Sequence, residues 1–245
     1  MRPPDGGGTD LSIEVSGSTE VSRSAGMRTG RVLLLHGIAR SAASMAKLDR
    51  RLTTAGFRTL NVDFPSTRLA LDGLAADVRR RAAGFLAPDG TPLHFVTHSM
   101  GGLLARVMLA QDRVLDLGRV VMLGPPNQGS EIADLLDRTW LYRSVFGPAG
   151  EQLTTHGSPK LPSVDYALGV IAGDRFTDPF SWFFIPGPND GKVAVARTML
   201  PGMADHVTLH ATHTFLPQNN AAIHQTIHFL RHGLFLHGAS GSHEG

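Results

Sequence analysis

Short apolar runs alternate with amphipathic stretches along most of this chain. Three of the runs are apolar apart from His94, which is typical of strands buried on both faces of a parallel sheet. These three cover residues 32–35, 93–96 and 120–124. Mixed or alternating runs predict three further strands, over residues 58–64, 166–173 and 205–210.

Apolar residues at helical spacing predict helices over residues 41–55, 69–85, 101–109 and 219–233. The last of these helices would bury one stripe. The stripe consists of Ile223, Ile227, Leu230 and Leu234. Strands that alternate with helices at this spacing indicate an α/β fold with a doubly wound, mostly parallel sheet.

The alternation stops over residues 127–165. We expect a helix at 131–143, a Gly/Pro-rich break at 147–150 and then a polar loop. This stretch is rich in bulky side chains, namely Trp140, Leu141, Tyr142, Val145 and Phe146. They predict a small helical cap over one end of the sheet; the alternative is a surface excursion whose aromatic residues pack on the core.

The domain is expected to span residues 29–236. Residues 1–28 are polar and glycine-rich, which predicts a flexible tail, and residues 237–245 predict a second one. Met27 is an alternative start to Met1.

Composition narrows the class of protein. The chain has 245 residues, 42% of them apolar, a net charge of +2 and no cysteine. Without cysteine it has neither disulfides nor thiolate chemistry. Its densest basic cluster, at residues 79–81, fits the solvated face of a helix, so we expect no nucleic-acid partner. No apolar run reaches ~20 residues and no signal peptide is recognisable, so we expect a cytoplasmic protein without a transmembrane segment. Composition leaves the oligomeric state open.

The candidate chemistry lies where the strand at 93–96 meets the helix at 101–109. Ser99 stands at this junction, where a sharp turn would expose its hydroxyl and aim the N–H of Met100 at a developing oxyanion. Ile38, in the turn after the first strand, is expected to supply the second oxyanion donor, with His36 and Gly37 close to the substrate. The alternative is an ordinary connection in which Ser99 caps the helix.

A nucleophilic serine needs a histidine base and a carboxylate that orients it. Asp190, in a tight Pro-Asn-Asp-Gly turn, and Asp174, directly after a strand, compete for the acid, and we favour Asp190. The candidate bases near the chain's end are His206, His210 and His213. His213 is favoured because it lies in the loop beyond the last strand.

The other histidines have simpler explanations. His98 is interpreted as structural. Three further histidines recur at helical spacing and are expected on a solvated helix face, without a pattern that indicates a metal site. They are His224, His228 and His232.

Taken together, these segments resemble the α/β-hydrolase superfamily, in particular its lipase-like branch with GPI inositol-deacylase-like and triacylglycerol-lipase-like proteins. The resemblance spans about residues 31–235. The matching segments are Leu-Leu-Leu-His-Gly, Asp-Phe-Pro-Ser-Thr, Thr-His-Ser-Met-Gly-Gly, Gly-Pro-Pro-Asn-Gln-Gly-Ser, Pro-Asn-Asp-Gly-Lys-Val and Thr-His-Thr-Phe-Leu.

The resemblance implies a triad of Ser99, Asp190 and His213, in agreement with the ranking above. It also implies that residues 127–130 lead into the cap without a catalytic role. The chain departs from the family at Thr97, where the usual motif has glycine.

We therefore expect a serine esterase or lipase that cleaves a small-molecule or lipid-like ester without cofactor or metal. The acyl pocket would be walled by the bulky cap residues and by Phe183 and Phe184, whose alternative role is core packing. A thioesterase, a lipase for long acyl chains or an acyltransferase could use the same triad. A non-hydrolytic binding protein on this fold is the rival from another class, and a peptidase is a weaker one.

Overall fold

A computed structural model describes residues 30–130, 133–134, 140–157, 160–177 and 185–237, without the side chains of 140–145. The expected N-terminal tail, Met27, Phe183 and Phe184 lie outside these ranges. So does the expected C-terminal tail, apart from His237.

Six parallel strands form one sheet with the spatial order β2-β1-β3-β4-β5-β6. The predicted doubly wound parallel sheet is thereby confirmed. The strands are β1 (Arg31–Leu35), β2 (Arg58–Val62), β3 (Leu93–His98), β4 (Leu117–Leu123), β5 (Leu168–Gly173) and β6 (Asp205–Leu209).

Helices follow most of the strands. A short 3₁₀ segment (Ala42–Met45) precedes α1, and a second one (His213–Gln218) precedes the closing helix. The helices are α1 (Ala46–Thr54), α2 (Leu71–Arg81), α3 (Ala83–Leu86), α4 (Met100–Gln111), α5 (Trp140–Glu151), α6 (Val195–Thr198) and α7 (Asn220–His232).

Alternate residues of each strand enter two separate cores, one on each face of the sheet. Leu33, Leu35 and Phe95 pack with apolar residues of α2 and α4. Their neighbours Leu34 and Val96 pack with residues of α1 and α7 on the opposite face. This division explains why residues 32–35 of β1 and 120–123 of β4 are apolar at every position, since both faces of these strands are buried.

The chain direction across the sheet reverses at β1, which has β2 on one side and β3 on the other. In open α/β sheets, ligands bind beyond the carboxyl ends of the strands at such a reversal. The residues that follow β1 and β3 therefore lie at the favoured position for a site, and they include Ile38 and Ser99.

Two predicted helices need correction, and one predicted break is observed. The stripe on α7 does not include Leu234, because Gly233 ends the helix in a left-handed conformation (φ 83°) and Leu234 is 57% exposed; Phe229 and Phe235 fill the core instead. The predicted break at 147–150 is present as a non-helical Gly147 (φ 59°, ψ −162°), which separates two helical parts of α5. The predicted helix at 69–85 divides into α2 and α3.

Within the described part of the chain, no helix combines the length and the apolar character that crossing a bilayer would require.

Candidate active site

Ser99 occupies a strained turn between β3 and α4. Its backbone has φ 54° and ψ −125°, a conformation that costs a non-glycine residue roughly 1–3 kcal/mol. The N–H of Ser99 donates to the carbonyl of Leu123 at 2.9 Å, which ties the turn to β4. Gly101 makes the turn possible, because a Cβ there would lie 2.5 Å from the carbonyl oxygen of Leu35. Thr97 is fully buried and the turn still forms, so this departure from the usual glycine leaves the geometry intact.

Three side chains from three separate loops meet at this turn. Nδ1 of His213 donates to Oδ2 of Asp190 at 2.7 Å, since a carboxylate can only accept. Nε2 of His213 is then free to accept the hydroxyl proton of Ser99, whose Oγ lies 2.9 Å away. Asp190 is 2% exposed, His213 5% and Ser99 8%, so the hydrogen-bonded chain is largely shielded from water.

The two oxygens of Asp190 have different partners. While Oδ2 accepts from the imidazole, Oδ1 accepts the N–H groups of Lys192 at 3.0 Å and of Val193 at 2.9 Å. The carbonyl of Asp190 also accepts the N–H of His213 at 2.9 Å. The carboxylate is therefore fixed by its own turn and in turn fixes the imidazole.

His98 contacts both the backbone and the ring of His213. Its Nε2 donates to the carbonyl of His213 at 2.9 Å, and its ring centroid lies 5.0 Å from that of His213. Burial, and next the proximity of His213, hold the pKa of His98 well below its usual value, so this ring is neutral. Its Nδ1 finds no partner among the described residues. The structural role expected for His98 is therefore to hold the backbone of His213.

The turn after β1 borders Ser99. Gly37 and Ile38 line the cavity in front of Ser99, and neither Ile38 nor Met100 donates its N–H to any of the described residues. Contrary to the expectation from its position, His36 does not face the cavity. It is fully buried, stacks on Phe64 with 3.9 Å between ring centroids, and bonds the carbonyl of Gly37 at 2.8 Å. His36 therefore stabilises the turn from the protein interior.

The cavity itself has a volume of about 230 Å³ and contains Ser99 and His213 in its wall. The 127–165 insertion contributes part of that wall. Its contributing residues are Ser130, Ala133, Phe146 and Leu153. Trp140, Leu141 and Tyr142 belong to the backbone of α5, but their side chains lie outside the described part of the chain.

The rejected candidates have other partners. Asp174 and His210 pair with each other at 3.0 Å, and the His210 side chain is 74% exposed. His206 contacts the hydroxyl of Thr198 at 3.1 Å. His224 and His232 are exposed on α7, as predicted.

Sequence analysis missed three features of this site. Arg40 and Lys192 line the cavity, and the hydroxyl of Ser130 donates to the carbonyl of Lys192 at 2.8 Å. Only the position of Lys192, two residues after Asp190, could have drawn attention to it. Gly124 lies against Asp190 and His213, since a Cβ there would be 3.1 Å from atoms of both residues.

The sequence matches the model of a known family, and the structure is similar to solved structures. The model of the alpha/beta hydrolase family matches residues 32–232, whereas no curated protein sequence matches the chain. The mature form of a Bacillus licheniformis lipase is similar in structure, with a TM-score of 0.70 and 20% identity over 83% of this chain and 93% of that one. A metagenomic carboxyl esterase gives 0.62 and 19%, over 78% and 66% of the two chains. A type II thioesterase from the yersiniabactin pathway gives 0.54 and 19%, over 85% and 95%.

Proposed function

The chain belongs to the alpha/beta hydrolase family, and we propose that it hydrolyses carboxylic esters through a triad of Ser99, His213 and Asp190. The observation that carries the proposal is the unbroken chain of two hydrogen bonds, 2.9 Å and 2.7 Å long, from the Ser99 hydroxyl to the Asp190 carboxylate. Its position at the reversal point of the sheet supports the same conclusion.

In the proposed reaction, Oγ of Ser99 attacks the ester carbonyl while Nε2 of His213 takes the hydroxyl proton. Asp190 keeps the imidazole in the tautomer that can accept this proton and stabilises the imidazolium that results. His213 then returns the proton to the leaving alcohol, and the acyl group stays on Ser99. Water, deprotonated by His213, attacks the acyl-enzyme, releases the acid and restores the serine.

The negative charge that develops on the carbonyl oxygen needs fixed donors. We assign this role to the N–H groups of Ile38 and Met100, which no described residue occupies. Met100 is the first residue of α4, so its N–H is one of those that a helix leaves unpaired. Each such donor lowers the barrier by about 3 kcal/mol.

The cavity wall supports a small acyl group. Pro126, Ala133, Phe146, Leu153 and Val193 provide apolar surface beside Ser99. At about 230 Å³ the cavity is below the range of roughly 300–1,000 Å³ that suits drug-sized ligands. We therefore propose esters with short acyl chains, and we assign Trp140, Leu141 and Tyr142 to the cap that closes the pocket.

A thioesterase is the second candidate, because one of the similar structures is a type II thioesterase. A thioester would use the same attack by Ser99 and the same acyl-enzyme. The two activities differ in the leaving group and are separated by direct comparison of an oxygen ester with its sulfur counterpart.

The test is hydrolysis of p-nitrophenyl esters from acetyl to palmitoyl, together with acyl thioesters of matched chain length, for the native protein and Ser99→Ala. We expect turnover that is greatest with short acyl esters and is lost in Ser99→Ala. Higher kcat/KM on the thioesters would move the assignment to a thioesterase. No turnover on either series would contradict hydrolysis and favour a ligand-binding role.

A further inference from the structure

Two cations stand at the mouth of the candidate active site. Arg40 and Lys192 line the same cavity as Ser99 and His213. Among the described lining residues they are the ones with a permanent charge at neutral pH, and none of the described lining residues is an Asp or Glu. The described cavity therefore combines an apolar wall with a positively charged rim.

The backbone holds both cations beside the reacting groups. Arg40 follows Ala39, which has a left-handed backbone (φ 52°) and donates its N–H to the hydroxyl of Ser66 at 3.1 Å. Lys192 lies in the turn of Asp190, where Oδ1 of that residue accepts its N–H and Ser130 donates to its carbonyl. The loop with the proposed oxyanion donor and the loop with the proposed acid thus each present one cation.

Neither side chain is neutralised within the described part of the chain. Both are exposed, and Arg40 donates only a long hydrogen bond of 3.4 Å to the hydroxyl of Thr214. Neither forms an ion pair with a described carboxylate, and Asp190 is already committed to His213. Partial burial, and next the charge of Arg40, lower the pKa of Lys192, while Asp190 acts in the opposite sense. The two cations thus line one cavity, and the charge of Arg40 acts on the ammonium of Lys192.

We propose that the substrate is an ester that carries an anionic group, a carboxylate or a phosphate, which Arg40 and Lys192 bind during the reaction. This inference rests on the proposed ester hydrolysis. A guanidinium binds such a group through a planar fork and an ammonium binds it as a compact point charge, so the pair suits one anion shared between them. The anion would relieve their mutual repulsion, and the positive rim would raise its local concentration.

The experiment compares matched acid and methyl esters. For a charge on the acyl side, the pair is mono-p-nitrophenyl glutarate and its methyl ester. For a charge on the leaving-group side, the pair is the butyrate of 4-hydroxybenzoate and the butyrate of methyl 4-hydroxybenzoate. The readout is the ratio of kcat/KM for the acid to that for the methyl ester, after subtraction of the uncatalysed rate.

The ratio is measured for the native protein, Arg40→Gln, Lys192→Gln and the control Arg50→Gln, which removes an exposed cation of α1 that does not line the cavity. Intrinsic differences in ester reactivity cancel when the ratio of a variant is divided by that of the native protein. We expect each cavity substitution to lower the ratio for one of the two pairs by about fivefold, the upper effect of an exposed charge pair. The pair that responds identifies which side of the ester carries the anion. Arg50→Gln should keep the native ratio.

Salt provides a second readout. Increasing the ionic strength from about 0.01 M to about 1 M shortens the screening length from ~30 Å to ~3 Å, so the native preference for the acid ester should decrease. Turnover of the methyl esters with equal ratios in all four proteins would overturn the anionic substrate and leave ester hydrolysis standing. Absence of turnover on every ester would overturn the proposed function, and the anionic substrate with it.

Discussion

Replacement of Asp190 by Asn separates the structural role of this residue from its proposed catalytic role. In the native protein Oδ1 accepts two backbone N–H groups and Oδ2 accepts from His213. An asparagine has only one carbonyl oxygen. Two backbone hydrogen bonds outweigh one, so that oxygen should stay with the N–H groups of Lys192 and Val193, and the amide NH₂ should face the imidazole.

The imidazole would then have to present an unprotonated Nδ1 to the amide and carry its proton on Nε2. In that tautomer Nε2, which lies 2.9 Å from Oγ of Ser99, cannot accept the hydroxyl proton. We expect kcat to fall by about 10⁴-fold, equivalent to about 5.5 kcal/mol in the barrier. Since the turn is retained, the free energy of unfolding should change by only about 1–2 kcal/mol.

The assay is kcat for the best p-nitrophenyl ester, with urea unfolding as the check on the fold. Asp174→Asn is the matched control, because it alters a carboxylate that pairs with an exposed histidine away from Ser99. The reasoning is refuted if Asp190→Asn keeps kcat within about tenfold of native while folded, or if Asp174→Asn loses as much activity.

Three further outcomes are expected. Gly124→Ala should lower kcat because its Cβ would lie 3.1 Å from atoms of both Asp190 and His213. The control Gly90→Ala has a similarly positive φ but open space around it, so it should keep its activity and lose only about 1 kcal/mol of stability. Equal activity of the two variants would contradict the crowding. Arg31→Met should lower the free energy of unfolding, measured in urea, by about 3 kcal/mol, because Arg31 is buried and donates to three carbonyls and a carboxylate. A loss of stability no greater than that for an exposed arginine would contradict this. The pKa of buried His98 lies well below its unfolded value, so the unfolded chain binds the extra proton as pH falls below about 6.5. The stability that neutral His98 contributes is therefore present at neutral pH and is lost toward pH ~5, by up to about 1.4 kcal/mol per pH unit. His98→Gln should flatten this dependence of the free energy of unfolding on pH, as measured in urea titrations. An unchanged slope would count against a neutral His98.

Much of the fold could be predicted because the parallel sheet leaves a local signal. Strands buried on both faces contain continuous apolar runs, such as residues 32–35 of β1, and the alternating helices follow at regular intervals. The turn at Ser99 was also predictable, since a serine between a buried strand and small residues has few other conformations. The positions of the candidate acids and bases in turns and loops ranked Asp190 and His213 first, and the family resemblance agreed with this ranking.

The remaining features depend on contacts between residues far apart in the sequence. Arg31 stands at the start of an apolar run, and no local pattern indicates that it binds the carbonyls of Phe85, Ala87 and Thr91. Leu234 continues the helical spacing in the sequence. The helix nevertheless ends at His232, and Leu234, beyond Gly233, is exposed. The expectation that His36 faces the substrate is wrong, because the side of the turn to which its side chain points depends on its contact with Phe64, which is distant in the sequence.

The catalytic account depends most directly on Ser99 as the nucleophile. The decisive measurement is the mass of the protein after incubation with a fluorophosphonate, followed by tryptic mapping. Ser99 is the only serine between Arg81 and Arg106, so the labelled peptide identifies it without ambiguity. The account predicts one adduct on that peptide, none in Ser99→Ala, and loss of ester turnover in step with labelling. An unlabelled Ser99 in the folded protein, or turnover that persists after complete labelling, would contradict it.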